Sequence, residues 1–264
     1  MQTVLYDGSW DGFLCAVFDV YEYRFSDAQI VSEAHFNGNL FGAVHQARFD
    51  ATHINRVWKG LERILSSEAT TALYRTFLSE EKGREDHLLA YIRYAFAAGG
   101  NMEDDLGNNA VLYVVQTAKK VWREKHRMEA FVRFQETADG LYVSFIEPDH
   151  DVLPIIGPHF TARYADQRWM IYDTRRRYGL YYDGHTTATV SISFDESVDA
   201  QNIAHTYAPT EAAYQALWQQ YFKSVNIAAR KNTKLHVQHM PRRYWKNLPE
   251  KQPDISAVSP NKKV

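Results

Sequence analysis

Cysteine occurs once in this sequence, at Cys15. A single thiol excludes an intrachain disulfide, a multi-cysteine zinc site and an iron–sulfur cluster held by three or four thiolates of this chain. Any such cluster must sit in a partner. GxGxxG, Walker A, HExxH and GxSxG are also missing, which argues against the common nucleotide-binding folds, the zincins and the α/β-hydrolases. No apolar run approaches the roughly 20 residues that a membrane helix needs, and the start MQTVLYDGSWDG lacks a basic segment followed by an apolar one. The expectation is a cytoplasmic protein with no membrane partner, no metal and no cofactor of its own.

What is present is an ordinary globular composition, 45% hydrophobic and 23% charged over 264 residues, enough to bury a sizeable core. The net charge of −2 conceals an asymmetry. Residues 1–110 carry 9 Lys/Arg against 16 Asp/Glu, residues 111–220 carry 11 against 14, and residues 221–264 carry 10 against 2. A basic end of this kind suits a phosphate backbone or serves simply as a solvated tail.

Strand signals are densest in the middle of the chain. Met128–Glu136 and Leu141–Glu147 alternate in apolar character on either side of Asp139-Gly140 and predict a β-hairpin. The first would place Met128, Ala130, Val132 and Phe134 on one face, the second Leu141, Val143 and Phe145. Arg168–Asp173 and Arg177–Asp183 predict a second hairpin joined by Thr174-Arg175-Arg176. Thr187–Phe194 alternates with Ala188, Val190, Ile192 and Phe194 inward. One antiparallel sheet with a buried face follows.

Before it, apolar residues at intervals of three and four predict helices at His53–Leu65, after Ser67, around Leu88–Phe96 and at Asn108–His126. Gly99-Gly100 closes the third. Near the start, Val4–Leu5, Asp7-Gly8 and Phe13–Tyr21 suggest an edge hairpin, although FLCAVFDVY also suits a buried helix. Asp7 and Asp11 in DGSWDG read as turn residues, with acid–base or metal work as the alternative. Thr210–Val225 is a further amphipathic helix that would pack through Tyr214, Leu217, Trp218, Tyr221, Phe222 and Val225. The fold expected is α+β, a helical block plus a central antiparallel sheet in a single compact domain over residues 1–250, with a flexible basic tail at 251–264.

Two polar clusters stand out. In IEPDHDVLPIIGPHF the prolines and Gly157 are expected to break any long regular element, and Asp149, His150, Asp151 and His159 lie close in sequence. They are candidates for acid–base catalysis or, in the structural alternative, for helix capping and backbone hydrogen bonds. In HVQHMPRRYWKNLPE, His236 and His239 precede Arg242, Arg243 and Lys246, which interleave with Tyr244 and Trp245. Cations beside rings suit phosphate neutralisation and base stacking. The competing expectation is that the segment wraps over the core, with at least one of the two rings buried.

Three stretches together, YDGSWDGFLCAVFDVYE, HRMEAFVRF with IEPDHDVLPIIGPHF, and QHMPRRYWKNLPE, resemble the bacterial family described as probable DNA metabolism proteins, which carries the domain DUF4130. The resemblance runs from Tyr6 to about Glu250. It implies a partner, a radical-SAM protein thought to modify or repair DNA and encoded beside family members, and an association with uracil-DNA glycosylase domains, to which some members are fused. It assigns no catalytic residue.

Three functions are therefore carried forward. The first is a DNA-repair accessory protein that engages DNA or its radical-SAM partner through Arg175, Arg176, Arg177, Arg242, Arg243, Tyr244, Trp245 and Lys246. The second is an enzyme acting on a nucleobase or nucleotide through Glu147 and the Asp149/His150/Asp151/His159 cluster, with Trp169 and Tyr172 available for stacking. The third is a non-catalytic scaffold.

Overall fold

Ser9 sets the first decision that the chain makes. Its hydroxyl accepts from the Gly12 N–H at 2.9 Å and caps helix α1 (Trp10–Glu22), with Asp11 in the first turn, where the helix dipole favours negative charge. FLCAVFDVY is therefore helical, and the expected edge hairpin does not form. Gly12 through Val20 are buried in an unbroken run, so this helix is apolar on nearly every side and its sequence imitates a buried strand. The structure is a computed structural model that describes residues 2–38, 43–191, 207–224 and 237–252. The fold is α+β, and the chain divides into two compact units between Arg123 and Glu124.

In the first unit, α1 is the crossover between parallel strands. β1 (Gln2–Tyr6) lies between β2 (Ala28–Ser32) and β3 (Ala43–Gln46), parallel to both, as strands joined by a crossover must be. The helical block follows as expected: α2 (Ala51–Ile64), α3 (Ser67–Phe77), α4 (Arg84–Ala98) and α5 (Asn109–Phe131), whose last turns, from Glu124, belong to the second unit. Asp50 and Ser66 cap α2 and α3 through their side chains, so Ser66 rather than Ser67 starts α3. Gly99, at φ +66°, ends α4 in the left-handed conformation that glycine adopts without strain. Tyr6, Trp10, Phe13 and Phe77 meet as an aromatic cluster, with ring centroids 5.2–6.4 Å apart.

In the second unit, five strands are hydrogen-bonded in chain order: β4 (Gln135–Glu136), β5 (Tyr142–Ile146), β6 (Trp169–Asp173), β7 (Tyr178–Tyr182) and β8 (Thr187–Val190). The sheet is mixed rather than antiparallel, because β5 and β6 run parallel. Between them lies α6 (Leu153–Arg163), which forms despite Pro154 and Pro158. Pro154 sits in the first turn, where no N–H is needed. Pro158 forfeits one bond in a helix that packs closely on the sheet: a Cβ at Gly157 would stand 3.3 Å from Leu180 Cδ1. Val143, Phe145, Met170 and Tyr172 form the core of one sheet face, with Leu141, Tyr181 and Val190 against it.

Other expectations are corrected here. Met128–Phe131 continues α5, and only Gln135–Glu136 becomes strand. Met128 and Val132 are buried one helical turn apart, whereas Ala130 is exposed, so the period is that of a helix. Ala188 is exposed, and Ile192 and Phe194 lie outside the described residues. Helix α7 (Glu211–Ser224) is present, but Tyr214, Leu217 and Trp218 of its expected packing face are exposed; Val225 lies outside the described residues. At the expected flexible tail, Lys251 belongs to a 3-10 turn and the Gln252 side chain donates to the carbonyls of Trp245 and Lys246; the remainder, 253–264, lies outside the described residues.

Gly12 is the sharpest local constraint. A Cβ there would stand 2.0 Å from Asp7 Oδ1, and Asp7 in turn accepts from the Ser9 N–H and hydroxyl at 2.9 and 2.7 Å. Gly12→Ala should destabilise the protein by about 1–3 kcal/mol. In an Asp7→Ala background it should cost much less, and denaturant unfolding of the double-mutant cycle reads that coupling directly.

Candidate functional site

The second unit carries a carboxylate where a helix would place a hydrophobe. Glu124 lies three residues after Val121 and four before Met128, both buried, so it falls on the inward stripe of α5 and is only 2% exposed. Its surroundings are all donors. Oε1 accepts from the Asp149 N–H at 2.9 Å, from Arg243 at 3.0 Å and from the Tyr244 hydroxyl at 2.6 Å, and Oε2 accepts from the His150 N–H at 2.8 Å. Burial pushes the Glu124 carboxyl up, but Tyr244, the two backbone N–H groups and Arg243 outweigh it and hold the group below the usual range. Burial and the adjacent Glu124 push the Tyr244 hydroxyl far up, which keeps it a donor.

A second buried anion shapes the basic turn. Asp173, with no exposed surface, ends β6. It accepts from the N–H groups of Arg175 and Arg176 at 2.9 and 3.1 Å and from the Arg176 guanidinium at 2.7 Å. Arg175 then reaches the Asp149 carbonyl at 3.1 Å, and Arg176 reaches the carbonyls of Pro148 and Asp149 at 3.2 and 3.0 Å. Arg177 adopts φ +58°, and its N–H closes the turn on the Asp173 carbonyl at 2.8 Å. Lys246 pairs with Glu147 and Arg243 with Asp149. Lys246 first, opposed in part by burial, holds the Glu147 carboxyl below its ordinary value.

The structure thus gathers Arg175, Arg176, Arg243 and Lys246 around the loop Glu147–Asp149. Arg242 and Arg177 stand exposed on the same two segments. Tyr244 is buried at 4% exposure, so one of the two rings packs inward as expected. Trp245 is partly exposed, with Arg242 at 5.8 Å and Lys251 at 5.1 Å from its ring. A further fully buried carboxylate, Glu250, fixes the far end of the segment through Arg133 at 3.0 Å and the Trp218 indole N–H at 3.0 Å. His239 is exposed and His236 lies outside the described residues.

The four candidates for acid–base chemistry have four different neighbours. Asp149 pairs with Arg243 at 2.9 Å, the His150 ring lies 4.0 Å from Glu124, Asp151 accepts from the Tyr178 hydroxyl, and His159 lies 3.9 Å from Glu129. No Asp side chain caps α6, whose cap position is Val152. Among the described residues no group of three metal-capable side chains gathers. Glu124, Asp173 and Glu250 escaped the sequence reading. For Glu124 the signal existed, a charge on the apolar stripe of a helix, but it sits among Lys119, Lys120, Arg123 and Lys125 and is hidden in a run of charges.

Fold and site together define an α+β protein that displays a preorganised basic and aromatic surface fixed by buried carboxylates. The chain belongs to the DUF4130 family, described as a domain of unknown function, whose model matches residues 82–250. No curated protein and no solved structure matches the chain. No helix among the described residues is long and apolar enough to cross a membrane.

Since the folded-state value of Glu124 is depressed, its contribution to stability is present above the unfolded glutamate value of about 4.3. It is lost as pH falls through the folded value. Glu124→Gln should destabilise the protein at pH 7 by about 3 kcal/mol, and the difference from wild type should shrink below about pH 4. Urea unfolding at the two pH values is the check. Deletion of 240–264, which removes the buried Tyr244, Leu248 and Glu250 together, should abolish cooperative unfolding.

Proposed function

We propose that this protein is a DNA-metabolism accessory protein of the cytoplasm that holds nucleic acid on the surface formed by the Arg175–Arg177 turn and the Arg242–Lys251 segment. The observation that carries the reading is Trp245, a partly exposed ring between Arg242 and Lys251 on a 3-10 helix. A ring flanked by cations stacks on an unpaired base while the cations meet the adjacent phosphates. The carbonyl and carboxylate bonds of Arg175, Arg176, Arg243 and Lys246 fix their heads in advance, so little side-chain entropy remains to be lost on binding. The chemistry belongs to a partner in this reading, a radical-SAM protein acting on DNA, and the present chain presents the strand to it. The resemblance of the chain to DNA metabolism proteins supports that assignment.

Fluorescence anisotropy with single- and double-stranded oligonucleotides across a salt series tests the proposal. Affinity should fall steeply as salt rises and should favour the single strand. Arg177→Ala and Arg242→Ala, both outside the buried ion pairs, should each reduce the salt slope by about one while leaving unfolding unchanged. Trp245→Ala should weaken single-strand binding about tenfold. Negligible binding at low salt would overturn direct contact with DNA.

A further inference from the structure

The DGSWDG motif builds more than a turn. Asp7 is committed to Ser9, Ser9 to the first turn of α1, and Gly12 to the space beside Asp7. That leaves Trp10 and Asp11, and both line a cavity of about 490 Å3 together with Trp58 of α2 and Thr70, Thr71 and Tyr74 of α3. Trp10 meets Trp58 at 6.1 Å with the ring planes 83° apart, and meets Tyr74 at 5.6 Å with the planes 63° apart. Phe13 and Phe77 pack on Trp10 at 5.5 and 5.2 Å and fix it in place. All three cavity rings are half-buried.

The geometry narrows the ligand. A flat base or another planar ring needs walls close to parallel, and these rings stand steeply to one another, forming a corner that suits a rounded group. Asp11 is the one charged side chain among the described residues lining the cavity, and with no Lys or Arg there an anion gains nothing. Three electron-rich rings and one carboxylate are complementary to a positive charge whose surface is apolar. We propose that this cavity binds an alkylated ammonium cation, with Trp10, Trp58 and Tyr74 as the walls and Asp11 as the counter-ion. The volume lies in the usual range for small-molecule sites, about 300–1,000 Å3, and so admits either a free quaternary amine or the methylated lysine of a protein.

Calorimetric titration of the full chain with choline tests this, beside the neutral isostere 3,3-dimethylbutan-1-ol. Choline should bind saturably, and the isostere at least about tenfold more weakly, since it keeps the shape and loses the charge. Asp11→Asn, at an exposed position, and Trp58→Leu should each weaken choline binding about tenfold. Circular dichroism of both variants should match wild type, and the Asp11→Asn result stands alone if Trp58→Leu fails to fold. A trimethyl-lysine peptide that binds more tightly than choline identifies a protein side chain as the source, and the reverse order identifies a free amine. No saturable binding of choline, or equal binding of the isostere, overturns the proposal.

Discussion

A buried carboxylate in α5 is the constraint on which the second unit depends. Glu124 is surrounded by donors from two separate parts of the chain, the loop at Asp149-His150 and the 3-10 helix at Arg243-Tyr244. An anion in a low-dielectric site is tolerated only when its oxygens are fully engaged. Once engaged, it dictates where those donors lie. The basic C-terminal segment is thereby fixed against α5 and the loop after β5, with Tyr244 inward and Trp245 at the surface.

Asp173 does for the β6–β7 turn what Glu124 does for the C-terminal segment, and Glu250 does the same at its far end. The arrangement is economical in chemical terms. Each buried anion holds arginines or backbone N–H groups in one geometry, and the outward result is a set of cations whose positions are settled before any ligand arrives. Carboxylates that pair with some of these cations also lower the local positive charge. On the proposed function, binding should draw on Arg177, Arg242 and Trp245 more than on the cations that a carboxylate neutralises, and the surface should favour a flexible single strand, whose bases are free to stack, over a rigid duplex.

Much of the fold was legible in the sequence. The four helices of α2 to α5 follow from their apolar periods, the Trp169–Tyr182 hairpin from two apolar, aromatic-rich runs on either side of Thr174-Arg175-Arg176, and the Gly99 stop from its chemistry. Two stretches misled for different reasons. Phe13–Tyr21, for which strand and helix both stayed open, is rich in β-branched and aromatic residues, and a helix buried on several sides loses the polar face that would betray its period. Met128–Phe131 is the short end of α5, where Met128, Ala130, Val132 and Phe134 alternate like a strand. Pro154 and Pro158 look like breakers by local rule, yet packing of α6 on β7 overrides propensity. The parallel pairing of β5 and β6 follows from α6, so missing the helix also misled the sheet. The interleaved cations and rings of Arg242–Lys246 were visible, as was the inward turn of one ring. What fixes them was not, because Glu124 touches partners about 25 and 120 residues away along the chain, and no local pattern records such a contact.

In the proposed function, buried anions hold a surface ready for a nucleic-acid strand. Amide hydrogen exchange of the protein with and without a saturating single-stranded oligonucleotide tests it most directly. The account predicts added protection concentrated in residues 174–177 and 242–252. No change in either segment, with protection confined to the first unit, would contradict it.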